Sequence, residues 1–296
     1  MTPLVFALPG SDDFGRRVAG ELGADLGELT VRRFPDGESY VRLLTDPRGR
    51  DAVVVASLDH PDPKLIPLLL VLETAWELGA DSVGLIAPYL CYMRQDRRFH
   101  DGEAVSATVF PRLLSRSIDW LATVDPHLHR IHDLSEVYPI PTRVVHAAPA
   151  VARWISKHVP SPLLVGPDEE SAQWVSDVAE RAGAPFIVLS KVRHGDRDVE
   201  VSVPDVASYL NRTPILVDDI ISTGRTMIET MGHLHRAGLG AAVCIGVHGL
   251  FAGDAYDALT AAGAAAVVTC DSVPHASNQI GLAPLLAAAA RELIRR

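Results

Sequence analysis

Cysteines, basic residues and long apolar runs are all scarce in this sequence of 296 residues. Its three cysteines (Cys91, Cys244 and Cys270) have no metal-type spacing, and nothing in them indicates a disulfide framework. Lys and Arg number 27 against 37 Asp and Glu, and the net charge of -10 opposes non-specific binding to nucleic acid or anionic lipid. We therefore expect a cytoplasmic protein with no nucleic-acid partner, in which local basic clusters still permit small phosphorylated ligands.

The most apolar segment, residues 65–72, is too short to span a bilayer and contains Pro67. The first ten residues are apolar but lack the basic leader and long apolar stretch of a signal peptide, so we interpret them as a strand. We expect no membrane role. With 48% hydrophobic and 22% charged residues, the composition is typical of a soluble globular enzyme, and the length suits two α/β domains.

One pattern recurs along the chain: an apolar-periodic stretch reaches a glycine and is followed at once by small and β-branched residues. It is found around Gly79, Gly183, Gly238 and Gly263. A glycine that ends a helix before a fully apolar strand is typical of alternating helices and strands around a parallel sheet. The predicted fold class is α/β.

Further buried strands are predicted at residues 52–56, 163–165 and 215–217, each leading into polar or glycine-rich residues. Ligands in such sheets bind at the carboxyl ends of the strands. The segment Tyr138-Pro-Ile-Pro-Thr142 breaks regular structure and predicts two domains, 1–145 and 146–296. Residues 282–296 predict a closing helix, whose packing on the first domain is left open.

The segment Pro214-Ile-Leu-Val-Asp-Asp-Ile-Ile-Ser-Thr-Gly-Arg-Thr226 predicts a buried strand, two carboxylates, a polar turn and a helix over residues 227–237. The hydroxyls of Ser222, Thr223 and Thr226, a close backbone approach at Gly224 and the helix N-terminus would together cradle an anion. Asp218 and Asp219 would meet sugar hydroxyls or a magnesium-bound ligand. The structural alternative is a strand-end turn with an ordinary helix cap.

The complete pattern resembles the phosphoribosyl-binding motif of type I phosphoribosyltransferases and phosphoribosyl diphosphate synthetases. The resemblance implies two tandem phosphoribosyltransferase-like domains, each a mostly parallel sheet flanked by helices. It also implies ribose 5-phosphate binding by Asp218, Asp219, Ser222, Thr223, Gly224, Arg225 and Thr226. Arg225 stands where the motif usually has Gly, and this long cation would strengthen binding of the 5-phosphate or select another sugar phosphate.

Two segments resemble the nucleotide site of the synthetases. Arg33-Phe-Pro-Asp-Gly-Glu38 is similar to their adenine-binding hairpin, which implies that Phe34, Asp36 and Glu38 meet ATP bound mainly by a neighbouring subunit. By itself Pro-Asp-Gly indicates only a turn. The stretch Pro88-Tyr-Leu-Cys-Tyr-Met-Arg-Gln-Asp-Arg-Arg-Phe99 implies ATP binding by Arg94, Gln95 and Asp96, with a solvated charged loop as the alternative for Arg97 and Arg98 above all.

Two further segments bear on a metal ion. In Asp125-Pro-His-Leu-His-Arg-Ile-His132, the spacing of the histidines could by itself indicate a transition-metal site. The family pattern Asp-Leu-His instead implies that His127 helps to hold Mg–ATP, with His129 and His132 better interpreted as satisfied or solvated. Pro126, Arg130 and His132 depart from that pattern. Asp168, after the strand 163–165, is implied to be a magnesium-associated carboxylate, the alternative being a helix cap.

The charged stretch from Lys191 to Val203 contains Gly195 and has the composition of a mobile lid. Lys191 and Arg193 project alike if the preceding strand continues. They match the Lys-x-Arg at the root of the synthetases' catalytic loop, which implies a catalytic role. The alternative for Lys191 is a surface lysine at a strand end.

Nearly the whole chain, in the family's order, is similar to the ribose-phosphate diphosphokinases. The resemblance implies transfer of a diphosphoryl group from ATP to the 1-hydroxyl of ribose 5-phosphate, with Mg²⁺ and a homo-oligomeric assembly. Three alternatives stay open: a type I phosphoribosyltransferase, a non-catalytic regulatory relative, and a diphosphokinase for another sugar phosphate.

Overall fold

The computed structural model describes residues 1–168, 171–193, 199–202 and 206–294. Its contacts divide the chain into two units. Unit 1 comprises Met1–Val145, Ser272–Pro274 and Leu282–Arg296, and unit 2 comprises His146–Asp271 and His275–Gly281. The change of unit after Val145 coincides with the boundary predicted from the sequence. Residues 282–296 group with unit 1, the packing that the sequence had left open for the last helix.

Unit 1 is built on a parallel sheet with the strand order β2-β1-β5-β6-β7-β8. Its elements are β1 (Leu4–Ala7), α1 (Asp12–Leu22), β2 (Asp25–Leu26), β3 (Leu29–Arg33), β4 (Ser39–Leu43), β5 (Asp51–Val55), α2 (Asp62–Glu77), β6 (Ser82–Ala87), α3 (Ser106–Leu114), β7 (Trp120–Val124) and β8 (Thr142–Val145). The central strands are mostly apolar, and Val54, Leu85 and Leu121 have no exposed surface. Such strands suit a sheet that is covered on both faces.

Unit 2 repeats this architecture with the strand order β10-β9-β13-β14-β15-β16, again parallel throughout. Its elements are α4 (Ala148–His158), β9 (Pro162–Gly166), α5 (Ala172–Ala182), β10 (Phe186–Val188), β11 (Ser190–Arg193), β12 (Val199–Ser202), β13 (Thr213–Ile221), α6 (Arg225–Arg236), β14 (Val243–Gly249), α7 (Ala255–Ala261), β15 (Ala266–Cys270) and β16 (Asn278–Ile280). The strands β11 and β12 form a separate antiparallel pair. The predicted α/β class is confirmed in both units.

The glycines that prompted this prediction do end helices. Gly79, Gly183, Gly238 and Gly263 all have positive φ, between 63° and 90°, and each follows a helix and precedes a strand of the sheet. At α5, the backbone N–H of Gly183 donates to Glu180 O at 3.1 Å, which satisfies a carbonyl at the helix end. A side chain would strain the backbone in this left-handed region.

One strand is longer than its sequence predicted. β13 runs to Ile221, so Asp218 and Asp219 lie within the strand rather than in the turn after it. The ladder continues because Ile220 and Ile221 pair with β14 and are buried. The following helix correspondingly begins at Arg225, earlier than the predicted residue 227.

The helix α8 (Ala283–Ile294) packs on the first unit, against α1 and the strands β6, β7 and β8. Its apolar face, which includes Leu286 and Leu293, is buried. Arg291 donates to Glu21 O at 2.6 Å, and Glu292 pairs with Arg143 at 3.2 Å. These contacts explain why the segment belongs to unit 1.

Cys91, Cys244 and Cys270 are buried and form no disulfide among the described residues. Burial raises the pKa of the Cys91 and Cys244 thiols to about 12, so both remain protonated at neutral pH. Among the described residues, no helix is both long enough and apolar enough to cross a membrane.

Candidate active site

The hairpin β3–β4 carries the candidate adenine-binding residues of unit 1. Arg33 pairs with Ser39, and Phe34 N–H donates to Glu38 O at 2.8 Å across the Pro-Asp-Gly turn. Gly37 has a φ of 97°, which the turn requires and which few other residues adopt. The carboxylate of Asp36 accepts the Glu38 N–H at 3.2 Å. The predicted turn is confirmed.

Phe34 sits at the tip of this hairpin with 39% of its surface exposed. The guanidinium of Arg32 lies 4.7 Å from the centre of the Phe34 ring and 4.1 Å from that of Tyr40. The two rings meet edge to face at 6.0 Å. This arrangement fixes an exposed aromatic ring, which could stack on a flat ligand.

A cavity of about 500 Å³ opens between the hairpin and the first turn of α2. Its lining includes Glu38 from the hairpin and Asp62 from the helix. Asp62 also accepts a hydrogen bond from the Tyr92 hydroxyl, and this bond is the main reason why the pKa of Tyr92 is raised to about 12. Asp62 therefore lies beside both the β3–β4 hairpin and the loop after β6.

The loop that follows β6 holds Arg94, Gln95 and Asp96. Arg94 is exposed, while Gln95 donates to Glu103 Oε2 at 3.3 Å. Glu103 also accepts Phe99 N–H at 2.7 Å and so closes the loop on itself. Arg97 and Arg98 are exposed, as expected for solvated side chains.

Asp96 lies deeper, with 3% of its side chain exposed, and pairs with Arg130 at 3.0 Å. Burial alone would raise the pKa of this carboxyl, but hydrogen bonds from the backbone and side chain of Arg130 outweigh it and hold the pKa below its usual range. The pair connects the loop after β6 to the loop after β7.

The loop after β7 begins at Asp125, whose φ of 30° is unusual for a residue other than glycine. His127 is half-buried, whereas His129 and His132 are exposed. The described residues contain no group of three histidine, cysteine or acidic side chains placed to hold a metal ion. The transition-metal alternative for the three histidines therefore finds no support in this part of the chain.

In unit 2, Asp168 follows β9 and makes local contacts with Ser171. Its carboxylate accepts Ser171 N–H at 3.2 Å, and its carbonyl accepts the Ser171 hydroxyl at 2.6 Å, just before α5. Asp168 thus has a local structural role, although the N-cap of α5 is Ser171. This local role does not exclude a ligand role, because the negative charge of Asp168 also acts on Asp218.

Asp218 and Asp219 are consecutive carboxylates near the end of β13, and Asp218 is strongly perturbed. Burial, followed by the charge of Asp219 and a smaller effect of Asp168, raises the pKa of Asp218 to about 8. Both carboxylates also accept backbone hydrogen bonds. The N–H of Asp219 donates to Asp218 Oδ1 at 2.9 Å, and the N–H of Ile220 donates to Asp219 Oδ1 at 2.7 Å. An added cation would relieve this concentration of negative charge.

The turn between β13 and α6 has the shape of the predicted anion cradle. Gly224 has a φ of 69°, and a Cβ there would lie 3.1 Å from Leu259 Cγ, so the turn requires glycine. Within the part of the chain that the structure describes, the side chains of Ser222, Thr223 and Thr226 make no hydrogen bond. Their hydroxyls are available at the N-terminus of a twelve-residue helix.

Arg225 is the first residue of α6 and is exposed. A cation at a helix N-terminus opposes the helix dipole, and the first turn of α6 contains no acidic residue that would offset it. The position is therefore unfavourable for the isolated helix and favourable once an anion is bound nearby.

The candidate catalytic residues Lys191 and Arg193 lie on β11. In the strand register they are opposite Val201 and Val199 of β12, two positions apart. Their side chains and residues 194–198 lie outside the described part of the chain. The structure therefore fixes only the backbone from which these cations extend.

Sequence reasoning assigned no role to Asp62, which lines the cavity beside the hairpin, or to Arg130, which contacts the candidate residue Asp96. Asp62 binds Tyr92, 30 residues away, and Arg130 binds Asp96, 34 residues away. Contacts between residues so far apart in the chain leave no pattern among neighbouring residues of the sequence. The departure of Arg130 from the family pattern was the single indication at these positions.

Comparison with known proteins defines the class first. A sequence model of the N-terminal domain of ribose phosphate pyrophosphokinase matches residues 4–117, and a model of the phosphoribosyl transferase domain matches residues 143–284. Together with the two parallel sheets, these matches make the chain a protein of two phosphoribosyltransferase-type domains.

Full-length relatives define the family. The ribose-phosphate pyrophosphokinase of Methanopyrus kandleri is 35% identical over 293 residues, covering 98% of this chain and 99% of that protein. That of Methanothermobacter thermautotrophicus is 33% identical, covering 96% and 98%. The crystal structure of phosphoribosylpyrophosphate synthetase from Mycobacterium smegmatis matches with a TM-score of 0.86 and 26% identity over 100% of this chain and 99% of that chain. The chain belongs to the ribose-phosphate pyrophosphokinase family, as its motifs predicted.

Proposed function

We propose that this protein transfers the diphosphoryl group of ATP to the 1-hydroxyl of ribose 5-phosphate, giving 5-phosphoribosyl 1-diphosphate and AMP for nucleotide biosynthesis. The observation that carries the proposal is the arrangement at the end of β13. Two carboxylates, a glycine turn with free hydroxyls and a helix N-terminus follow one another there. Family membership over nearly the full length supports the same activity.

In this proposal the sugar phosphate is held by unit 2. Asp218 and Asp219 accept hydrogen bonds from the ribose hydroxyls, which are neutral donors suited to a crowded carboxylate pair. The hydroxyls of Ser222, Thr223 and Thr226, the backbone at Gly224 and the guanidinium of Arg225 bind the 5-phosphate at the start of α6.

The nucleotide is assigned to the residues of unit 1. Phe34 offers its ring to the adenine base, with Asp36 and Glu38 available for its polar groups. Arg94, Gln95 and His127 contact the rest of the nucleotide. The assignment of Asp96 to direct contact has less support, because its carboxylate is already bound by Arg130.

In the reaction, the oxygen of the 1-hydroxyl attacks the β-phosphorus of ATP. A new bond forms between them, the bond from the β-phosphorus to the oxygen of AMP breaks, and the hydroxyl proton is lost. Such transfers depend on alignment and on neutralising negative charge. Lys191 and Arg193 supply positive charge to the transferring group in this proposal.

Mg²⁺ is the metal ion that we propose as cofactor, with Asp168 and His127 as the residues that help to hold it. The carboxylate of Asp168 fits this hard cation, and the raised pKa of Asp218 indicates an acidic surrounding that a divalent ion would stabilise. When bound, Mg²⁺ would offset charge on the phosphates of ATP.

A direct assay tests the proposed function. AMP and phosphoribosyl diphosphate should form from ATP, Mg²⁺ and ribose 5-phosphate without any nucleobase. A requirement for a nucleobase would instead indicate a phosphoribosyltransferase, and no turnover with any sugar phosphate would favour the regulatory relative. Activity with a different acceptor alone would indicate the third alternative.

We also propose a homo-oligomer, in which Phe34, Asp36 and Glu38 complete the adenine pocket of a neighbouring subunit. The exposed position of the hairpin tip supports this role. Sedimentation under assay conditions should then find no fully active monomer.

A further inference from the structure

Asp96 and Arg130 join the two loops that carry the candidate nucleotide ligands of unit 1. Asp96 follows β6, together with Arg94 and Gln95, and Arg130 follows β7, together with His127. The strands are parallel neighbours, with Ala87 opposite Thr123, so both loops leave the same edge of the sheet. A contact at this edge can fix one loop relative to the other.

The geometry of the contact is that of a brace. Arg130 Nη1 lies 3.0 Å from Asp96 Oδ1 and 3.4 Å from Oδ2, and the backbone N–H of Arg130 donates to Oδ2 at 3.0 Å. Both carboxylate oxygens are therefore bound to one residue, through its side chain and its backbone. Charge-assisted bonds of this kind are stronger and more directional than neutral ones.

The carboxylate is also poorly placed to meet a nucleotide. Only 3% of the Asp96 side chain is exposed, because Arg130 covers it, whereas its neighbour Arg94 is exposed. An additional negative charge would moreover repel the phosphates of ATP. Ligand binding is thus left to Arg94 and Gln95, while Asp96 holds the loop in place.

We infer that Asp96 and Arg130 act as positioning residues, which hold Arg94 and Gln95 in register with His127 without touching ATP themselves. The inference rests on the proposed function in so far as these residues bind ATP. It assigns a role to Arg130, at which this chain departs from the family pattern.

A double-mutant cycle on the full-length protein tests the inference. Arg130→Ala and Asp96→Asn should each raise KM for ATP about ten-fold, the effect of losing one charge-assisted hydrogen bond. Because the chemistry is made by other groups, kcat should stay within about three-fold. The double variant should have a KM for ATP no higher than that of the more impaired single variant, since both changes remove the same interaction.

A direct ATP contact by Asp96 predicts the opposite. Asp96→Asn would then weaken ATP use further in the Arg130→Ala background, and additive losses would overturn the inference. Arg130→Lys, which keeps the charge, should recover part of the lost affinity. Unchanged KM in both single variants would overturn it as well.

Limited trypsin digestion provides a readout that does not depend on catalysis. Arg97 and Arg98 are exposed and directly follow Asp96, so a loosened loop should be cleaved there several-fold faster in Arg130→Ala. Arg181→Ala is the matched control, because it removes an exposed ion pair with Asp177 within a single helix. Equal cleavage rates in Arg130→Ala and the parent would contradict the brace, whereas failure of the nucleobase-free assay would contradict the proposed function alone.

Discussion

The loops after β6 and β7 differ from the end of β13 in how their charged side chains are paired. In unit 1, Asp96 is paired with Arg130, and the Asp62 carboxylate accepts the Tyr92 hydroxyl. In unit 2, Asp218 is crowded by Asp219 and Asp168, and its pKa rises to about 8. The carboxylates of the first region are bound by neighbouring side chains, whereas Asp218 is surrounded by further carboxylates.

This difference separates positioning from binding. Paired charges fix loops, so the loops that we propose to bind the nucleotide are held in place before a ligand arrives. Uncompensated charges destabilise the folded protein until a ligand or cation arrives, and such strain is commonly found at functional sites. The predictions below test whether the imbalance in unit 2 serves ligand binding.

The largest effect is expected at Lys191, which we propose adds positive charge when negative charge on the diphosphoryl group is greatest. Interactions made only in the transition state affect turnover more than ground-state binding. Lys191→Ala should lower turnover about a hundred-fold or more, since such donors are worth roughly 3–4 kcal/mol. The affinity for Mg–ATP should change far less.

Lys157→Ala is the matched control, because Lys157 is exposed in the last turn of α4. Turnover and nucleotide affinity are measured on the same preparation of each variant. Turnover of Lys191→Ala within a few-fold of the parent would reduce Lys191 to a surface lysine.

The next effect concerns ribose 5-phosphate. Asp219→Asn should raise KM for ribose 5-phosphate about ten-fold, because an amide accepts sugar hydroxyls less strongly than a carboxylate does. Calorimetry should find the affinity for Mg–ATP nearly unchanged. An equal loss of nucleotide affinity would contradict a role of Asp219 confined to the sugar.

A smaller effect is expected at Asp218, where a substitution should increase the stability of the folded protein. Because folding raises the pKa of Asp218 from 3.8 to about 8, the folded state loses stability as pH rises through this window. Asp218→Asn should therefore unfold at a higher temperature than the parent at pH 8, with Tm shifting by about 2–4 °C for each kcal/mol gained. The gain should shrink towards pH 4.

Asp177→Asn, at an exposed position of α5, provides the control for this measurement. Thermal unfolding of the parent and both variants is followed from pH 4 to pH 9. A pH-independent difference between Asp218→Asn and the parent would show that the carboxylate pair does not carry the penalty.

The smallest effect is expected at Arg225, which is exposed and able to reorient. If its guanidinium contacts the phosphate of the acceptor, Arg225→Gly should change the ranking of kcat/KM among several sugar phosphates. Arg225→Ala removes the cation without adding glycine to the helix and should give the same change. An unchanged ranking in both variants would identify Arg225 as a solvated side chain.

The sequence predicted best what depends on neighbouring residues. The glycines that end helices, the turn at Gly37 and the apolar strands are all set by local backbone preferences and periodicity, and each is found in the structure. The β13 strand was harder, because two consecutive aspartates resemble a strand end. Pairing with β14 and burial of Ile221 keep them inside the strand.

Contacts between distant residues were beyond reach of the sequence. Asp96 and Arg130 are 34 positions apart, and they meet only because β6 and β7 are neighbours in the sheet. The pKa of Asp218 likewise depends on burial and on the charge of Asp219, and its position in a motif does not reveal either. Motifs selected the candidate residues, whereas topology determines their burial and their partners.

The helix α8 has a consequence for the order in which the chain is made. It completes unit 1, burying Leu286 and Leu293 beside β6, β7 and β8, yet it follows all of unit 2 in the sequence. On the ribosome, the surface that α8 will cover stays open while more than a hundred further residues are synthesised. Unit 1 therefore reaches its final packing only after unit 2 has emerged, and chaperones that shield apolar surfaces would act on unit 1 during that interval.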